Sequence, residues 1–255
     1  MRAPLKLHWS ASKPNFGDAL SPRICEIISG RKIVYAPVKQ CDLIAIGSLL
    51  HRLPEHWFSR RLSVWGSGFI EAKKPHQSRH HYHAIRGALS RDIISAGPDT
   101  PLGDPGLLAH LLLSGSKPTK KFTVGLVAHY KDKSHPLLAQ LCDRYADVTL
   151  IDIFLPPAMF LQRLQTCEVI FSSAMHGLIA ADALGIANAR IQLSNDLRGG
   201  DFKFADYYTN FGISAAPIAL TVDEIHHQAE HIVNSYHRPG LTEIQSQLIA
   251  AFPSF

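Results

Sequence analysis

Short apolar runs alternate with amphipathic stretches along nearly the whole chain. Residues 5–9 read as a strand. Residues 18–29 follow with Leu20, Ile24, Ile27 and Ile28 at helical spacing on one face. Gly30 ends that helix, and 32–35 reads as the next strand. Apolar runs at 43–46 and 62–65 each end in Gly-Ser. A strand at 82–85 precedes a helix at 88–95 that Gly97-Pro98 stops, and 107–113 reads as another helix. A small, polar and basic stretch, SGSKPTKK at 114–121, then interrupts the pattern. Beyond it the alternation restarts. Strands are predicted at 122–128, 148–153, 169–172 and 189–193, and helices at 135–145, 156–165 and 177–184. Thr221 and Glu224 have capping-box spacing, which predicts a helix over 221–236 with Ile225, Ala229, Ile232 and Val233 inward. A last helix over 241–252 closes the chain.

Alternation on both sides of a polar linker predicts an α/β fold of two domains, 1–116 and 117–255, each with a mainly parallel sheet. In such sheets ligands bind beyond the carboxyl ends of the strands. The natural site is the cleft between the domains, so residues just after strands carry the most weight.

Composition narrows the class. A hydrophobic fraction of 46 % with 18 % charged residues excludes disorder. No apolar stretch approaches the ~18 residues of a membrane span, and the first residues lack a signal-peptide core. The cysteines Cys25, Cys41, Cys142 and Cys167 are scattered through apolar segments, as in a reduced cytoplasmic protein. The net charge of +5 suits an anionic substrate or an anionic membrane surface. Lys73-Lys74 and Lys120-Lys121 would supply a basic face for peripheral contact with the inner side of the membrane. No dense basic stripe of a nucleic-acid binder exists. The 15 histidines are unusual. His227 and His231 stand at zinc-compatible spacing, and His80, His81 and His83 cluster. No HExxH accompanies them, and a solvated face explains them better than a metal site.

Several strand-end motifs could carry chemistry. Asn15-Phe16-Gly17-Asp18, preceded by Pro14, opens the first helix, where free N–H groups can meet an anion or a sugar hydroxyl. A tight turn is the competing reading. Gly66-Ser67-Gly68 could let backbone approach a phosphate, or simply turn. Arg86, in Ile85-Arg86-Gly87-Ala88-Leu89-Ser90, could fork onto a carboxylate or phosphate, or form a salt bridge. Leu102-Gly103-Asp104-Pro105-Gly106 reads as a structural turn. His129 ends the first strand of the second half. Ser172-Ser173-Ala174-Met175-His176-Gly177 is the sharpest signal: an apolar strand runs into serines, then a histidine at a helix start. A histidine there can act as a general acid if a bound anion holds it protonated. In Asp201-Phe202-Lys203-Phe204-Ala205-Asp206-Tyr207-Tyr208, Lys203 could hold an anion and the tyrosines could stack on a sugar, or the aromatics could pack in the core.

Taken in order, NFGD, WGSG, IRGALS, GDPGLL, SSAMHG and FKFADYY resemble the polysaccharide pyruvyl transferase family, most closely its short members acting on exopolysaccharide repeat units. The resemblance runs from Asn15 to Tyr208. It implies two Rossmann-like domains facing across a cleft as in GT-B glycosyltransferases, with the acceptor on the first domain, the donor on the second and the last helix packed back on the first. It implies phosphoenolpyruvate as donor, a lipid-linked oligosaccharide as acceptor, a pyruvate ketal as product, and neither metal nor cofactor. His176 matches the family's proposed acid and Arg86 its donor-binding arginine. Asn15, Asp18, Ser67, His129, Ser173, Lys203 and Tyr207 are the expected substrate contacts. The chain departs from the family at Ala174, where many members carry arginine, so another cation must take that role. A metal-independent nucleotide-sugar glycosyltransferase and a non-catalytic sugar-binding protein are the alternatives.

Overall fold

The computed structural model describes residues 3–11, 15–196 and 199–255. Pro14 of the first motif lies outside them. The first half contains strands β1 (Leu5–His8), β2 (Ile33–Tyr35), β3 (Leu43–Ile44), β4 (Ser63–Ser67) and β5 (His81–Ile85). They form one parallel sheet in the order β2-β1-β3-β4-β5. Helix α1 (Phe16–Ser29) connects β1 to β2, and α2 (Ala88–Ile93) follows β5. The second half contains β6 (Phe122–Val127), β7 (Val148–Leu150), β8 (Cys167–Ser172) and β9 (Ala187–Arg190) in the parallel order β7-β6-β8-β9. Helices α3 (Pro136–Arg144), α4 (Pro157–Gln165) and α5 (Met175–Ala183) connect them. After β9 come α6 (Phe202–Tyr208), α7 (Ile225–Ser235) and α8 (Leu241–Ala250).

Local chemistry explains the element ends. The Asn15 side chain accepts the Asp18 N–H and caps α1. Gly30 closes α1 in the left-handed region at φ 62°, where a side chain would be strained. The strands predicted at 148–153 and 189–193 are Val148–Leu150 and Ala187–Arg190, and two predicted helices differ in kind or start. The run near 107–113 is a 3-10 helix, Pro105–Leu112, opened by Asp104, whose carboxylate accepts the Gly106 N–H at 2.8 Å. The predicted helix start at Thr221 falls instead at Ile225, because the Thr221 hydroxyl bonds the Glu224 carboxylate at 3.2 Å and leaves the backbone amides alone. The cysteines form no disulfide, and burial pushes the Cys41 and Cys167 thiols up to about 11.

Each sheet feels its own helices, but one apolar core joins the halves. Leu7, Phe16, Leu20 and Leu107 pack in the same cluster as Phe160, Leu164, Leu178 and Ile179. The Phe16 and Phe160 rings stack at 4.1 Å, and the Phe16 N–H donates to the Ile153 carbonyl at 2.8 Å. Helix α8 returns to the first half, where the Trp65 indole donates to the Leu248 carbonyl at 2.9 Å and meets Phe252 edge-on. The carboxyl ends of both sheets are thereby fixed against each other.

Candidate active site

In each sheet the strand order reverses beside the central strand, at β1/β3 and at β6/β8. Open parallel sheets bind ligands outside the carboxyl ends at such a point. A cavity of about 150 Å³ lies there and draws its lining from both halves. Asn15 and Asp18 come after β1, Ser48 after β3, His129 and Tyr130 after β6, and Ala174 and His176 after β8. Lys203 reaches in from α6. A larger groove of about 540 Å³ beside α4 contains no histidine or lysine.

His176 sits in the first turn of α5, the positive end of the helix dipole. Its Nε2 is buried with no hydrogen-bond partner. Burial, then the Lys203 and Arg86 charges, depress its pKa to about 3, so the ring is neutral in the empty pocket. Gly17 makes room for it: a Cβ there would lie 2.1 Å from the His176 Nδ1. Asp18 behaves oppositely. Burial raises its carboxyl to about 7, against the downward pull of the Asn15 hydrogen bonds and the Arg52 charge. The Asn15 amide donates to the Asp18 Oδ2 at 2.7 Å and holds it toward the cavity. Lys203 is lowered to about 8 by burial, then by Arg86 and Arg190. His129 falls to about 4 by burial, then by Lys203. The cavity thus combines a neutral histidine pair, a carboxyl poised near neutrality and an ammonium.

Four expected contacts are elsewhere. Arg86 is fully buried, with its guanidinium committed to Asp206 at 2.8 Å, to the Ser48 hydroxyl at 2.6 Å and to the Phe69 carbonyl. It stands behind Ser48 and acts on the cavity through its charge. The Ser67 hydroxyl donates to the Gly47 carbonyl at 2.7 Å and braces the loop after β3. The Ser173 hydroxyl bridges the His129 N–H and the Asp132 carboxylate, tying the β6 and β8 ends together. Tyr207 is buried and donates to Asp182 at 2.6 Å, within a network that includes Tyr236, Asn188 and Arg238. None of these four lines the cavity.

Ser48 is the polar lining residue that the motif reading passed over. Both early apolar runs end in Gly-Ser, and the strand-end rule applies to Ser48 as well as to Ser67. Asp206 was also hidden in an aromatic segment. It receives Arg86 together with the Ser90 N–H and hydroxyl, both at 2.7 Å, so IRGALS and FKFADYY form one joint between the halves. Among the described residues no group of three or more His, Cys, Asp or Glu is arranged to hold a metal ion. His226 bonds Asp147 at 3.0 Å.

A family model for polysaccharide pyruvyl transferase matches residues 5–192. The chain is 24 % identical over 230 residues to the uncharacterized protein L143 of Acanthamoeba polyphaga mimivirus, covering 83 % of this chain and 76 % of that one. It is 23 % identical over 219 residues to the succinoglycan biosynthesis protein ExoV of Rhizobium meliloti (strain 1021), covering 84 % of this chain and 67 % of that one. With the family match spanning most of the described strands and every lining residue but Lys203, the chain belongs to the polysaccharide pyruvyl transferase family and is a pyruvyl transferase.

Proposed function

We propose that the enzyme transfers pyruvate from phosphoenolpyruvate to a terminal sugar of a lipid-linked oligosaccharide and forms a ketal. The observation that carries this reading is the cavity itself, which joins Asp18, His176 and Lys203 at the carboxyl ends of both sheets. Two α/β halves meeting there support a GT-B-like arrangement, with the boundary in the 114–121 stretch. The volume favours a small donor. Pockets for drug-sized ligands run to about 300–1,000 Å³, whereas about 150 Å³ suits a three-carbon phosphate with the sugar at its mouth. A nucleotide sugar is a poorer fit.

The cations account for donor binding. Lys203 lines the cavity, with Arg86 and Arg190 close enough to depress its own pKa. The α5 N-terminus adds amide dipoles. These groups take over from the arginine missing at Ala174.

The proton inventory supports one assignment of the chemistry. A bound trianion raises the pKa of every nearby acid. Asp18 starts near 7 and becomes the protonated form, whereas His176 starts near 3 and would have to climb about four units, roughly 5 kcal/mol. Asp18 therefore gives its proton to the methylene carbon, and positive charge develops at C2 of the donor. Neutral His176 orients the attacking sugar hydroxyl through its unpaired Nε2, and the Asp18 carboxylate, just deprotonated, takes the hydroxyl proton as the first C–O bond forms. Phosphate then leaves, the second hydroxyl closes the ketal, and its proton departs with the phosphate. The returned proton resets Asp18. The scheme uses only the chain's own residues and calls for no cofactor.

Incubation with phosphoenolpyruvate and a panel of synthetic and lipid-linked oligosaccharides tests the reading by mass spectrometry. The expected product gains one pyruvate less one water, with equimolar phosphate release. Transfer from nucleotide sugars, with phosphoenolpyruvate inert, would overturn it.

A further inference from the structure

The two most exposed large apolar side chains among the described residues are adjacent: Trp57 at 85 % and Phe58 at 73 %. They form the tip of a turn in the β3–β4 connection, closed by the Ser59 N–H on the His56 carbonyl at 2.9 Å. The turn is braced. Leu53 at its base is buried, and the Glu55 carboxylate accepts the Ser78 hydroxyl at 2.7 Å. The Arg79 guanidinium donates to the His56 carbonyl, and the His56 and Phe58 rings stack at 5.5 Å. Bracing keeps the aromatics from folding back onto the protein, so the exposed surface is held ready for a partner.

Charge is concentrated around the same turn. Residues 51–81 contain six Lys and Arg against two Glu, and so carry +4 of the chain's net +5. Arg61 and Lys74 are exposed there, with Arg60 on Asp42 and Lys73 on Glu71 beside them. The second expected basic pair contributes less, because the Lys120 ammonium donates to the Cys167 carbonyl. We propose that the Trp57–Phe58 turn inserts into an anionic phospholipid bilayer, with the surrounding cations on its headgroups. Aromatic rings favour the headgroup level, and each basic residue near an anionic surface adds about 1 kcal/mol. An exposed aromatic tip in a basic stretch of chain, with Arg79 on its own His56 carbonyl, matches a charged bilayer better than a flat protein face, whose buried core is depleted of charge. The connection bearing the tip contains Ser48, and the one bearing Lys73 and Lys74 contains Ile70, both on the cavity wall. Docking there would present the cavity to a lipid-anchored acceptor.

The choice of a lipid partner rests in part on the acceptor proposed above, but vesicle binding is measured without donor or acceptor, so its failure leaves the transferase reading standing. The full chain is floated with vesicles of phosphatidylcholine alone or mixed with phosphatidylglycerol, at low and high salt. Binding is expected only to the anionic vesicles and is weakened by salt. The W57S/F58S variant should bind about tenfold less or weaker still, the equivalent of about 1.4 kcal/mol, and R61E/K74E should lose most of the salt dependence. Both variants should keep wild-type melting and wild-type transfer to a soluble acceptor, since these side chains are exposed. Vesicle binding unchanged by W57S/F58S, no binding to either vesicle, or self-association that W57S/F58S abolishes in a protein that ignores vesicles would each overturn the proposal.

Discussion

Two buried polar clusters lie side by side at the junction of the halves, and they are satisfied to opposite degrees. At the Arg86 joint every charged group is paired: Asp206 accepts from the guanidinium and from both the N–H and the hydroxyl of Ser90. In the adjoining cavity the His176 Nε2 has no partner, Asp18 holds a raised pKa, and Lys203 is crowded by other cations. Buried polar groups ordinarily find partners, because leaving one unpaired costs about 1–3 kcal/mol. In the proposed site a bound donor would supply the partner that the His176 Nε2 lacks. The comparison separates residues that hold the fold from residues that await a ligand, although both sets come from the same strand-end motifs.

The comparison breaks most sharply at the joint. Asp206→Ala leaves the buried Arg86 charge uncompensated and should cost about 3–5 kcal/mol. That corresponds to a melting point lower by roughly 10 °C, readable by calorimetry. A variant that melts with the wild type would show the joint to be dispensable.

His176→Ala should do the reverse. Turnover is expected to fall by about 10²–10⁴-fold, with melting unchanged or slightly improved, since the substitution removes an unpaired buried nitrogen. Comparable turnover in the variant would remove the histidine from the chemistry.

Asp18→Asn sharpens the assignment of the proton. Turnover should drop about 10²-fold, and the ionisation near pH 7 should vanish from the rate profile. The effect on stability has the opposite sign. The folded-state pKa of about 7 exceeds the ordinary 3.8, so stability is full below pH 4 and declines as pH rises toward 7. The asparagine variant escapes that decline and should melt higher than the wild type at pH 8. His176 acts in the other direction: its lowered pKa makes stability full above pH 6.5 and reduces it as pH falls toward 3.

The smallest expected effect belongs to Tyr207→Phe. Losing its hydrogen bond to Asp182 should cost about 1–2 kcal/mol of stability. Catalytic constants should stay at wild-type values, whereas a tyrosine stacked on the acceptor would raise KM.

Local signals carried far along this chain. Apolar spacing located most of the strands and helices, because side-chain period reflects which face is buried. Strand ends followed by Asn15, Asp18, His129 and His176 pointed to the cavity, because parallel sheets expose their carboxyl ends to ligands. The starts of the 3-10 helix and of α7 were missed where a carboxylate, Asp104 or Glu224, bound its own neighbours.

The sequence by itself determined the alternation, the two parallel sheets it builds and the short set of polar residues at their ends, since all of these depend on residues close in the chain. Only the tertiary structure decided which polar residues remain unpaired. Arg86 meets Asp206 across 120 positions, and Tyr207 meets Asp182 across 25. His176 and Asp18 approach from different sheets, the His176 Nε2 unpaired and Asp18 held by its near neighbour Asn15. A motif supplies a charge or a ring nitrogen, but the distant segment folded against it determines whether that group stabilises the protein or is left to bind a substrate.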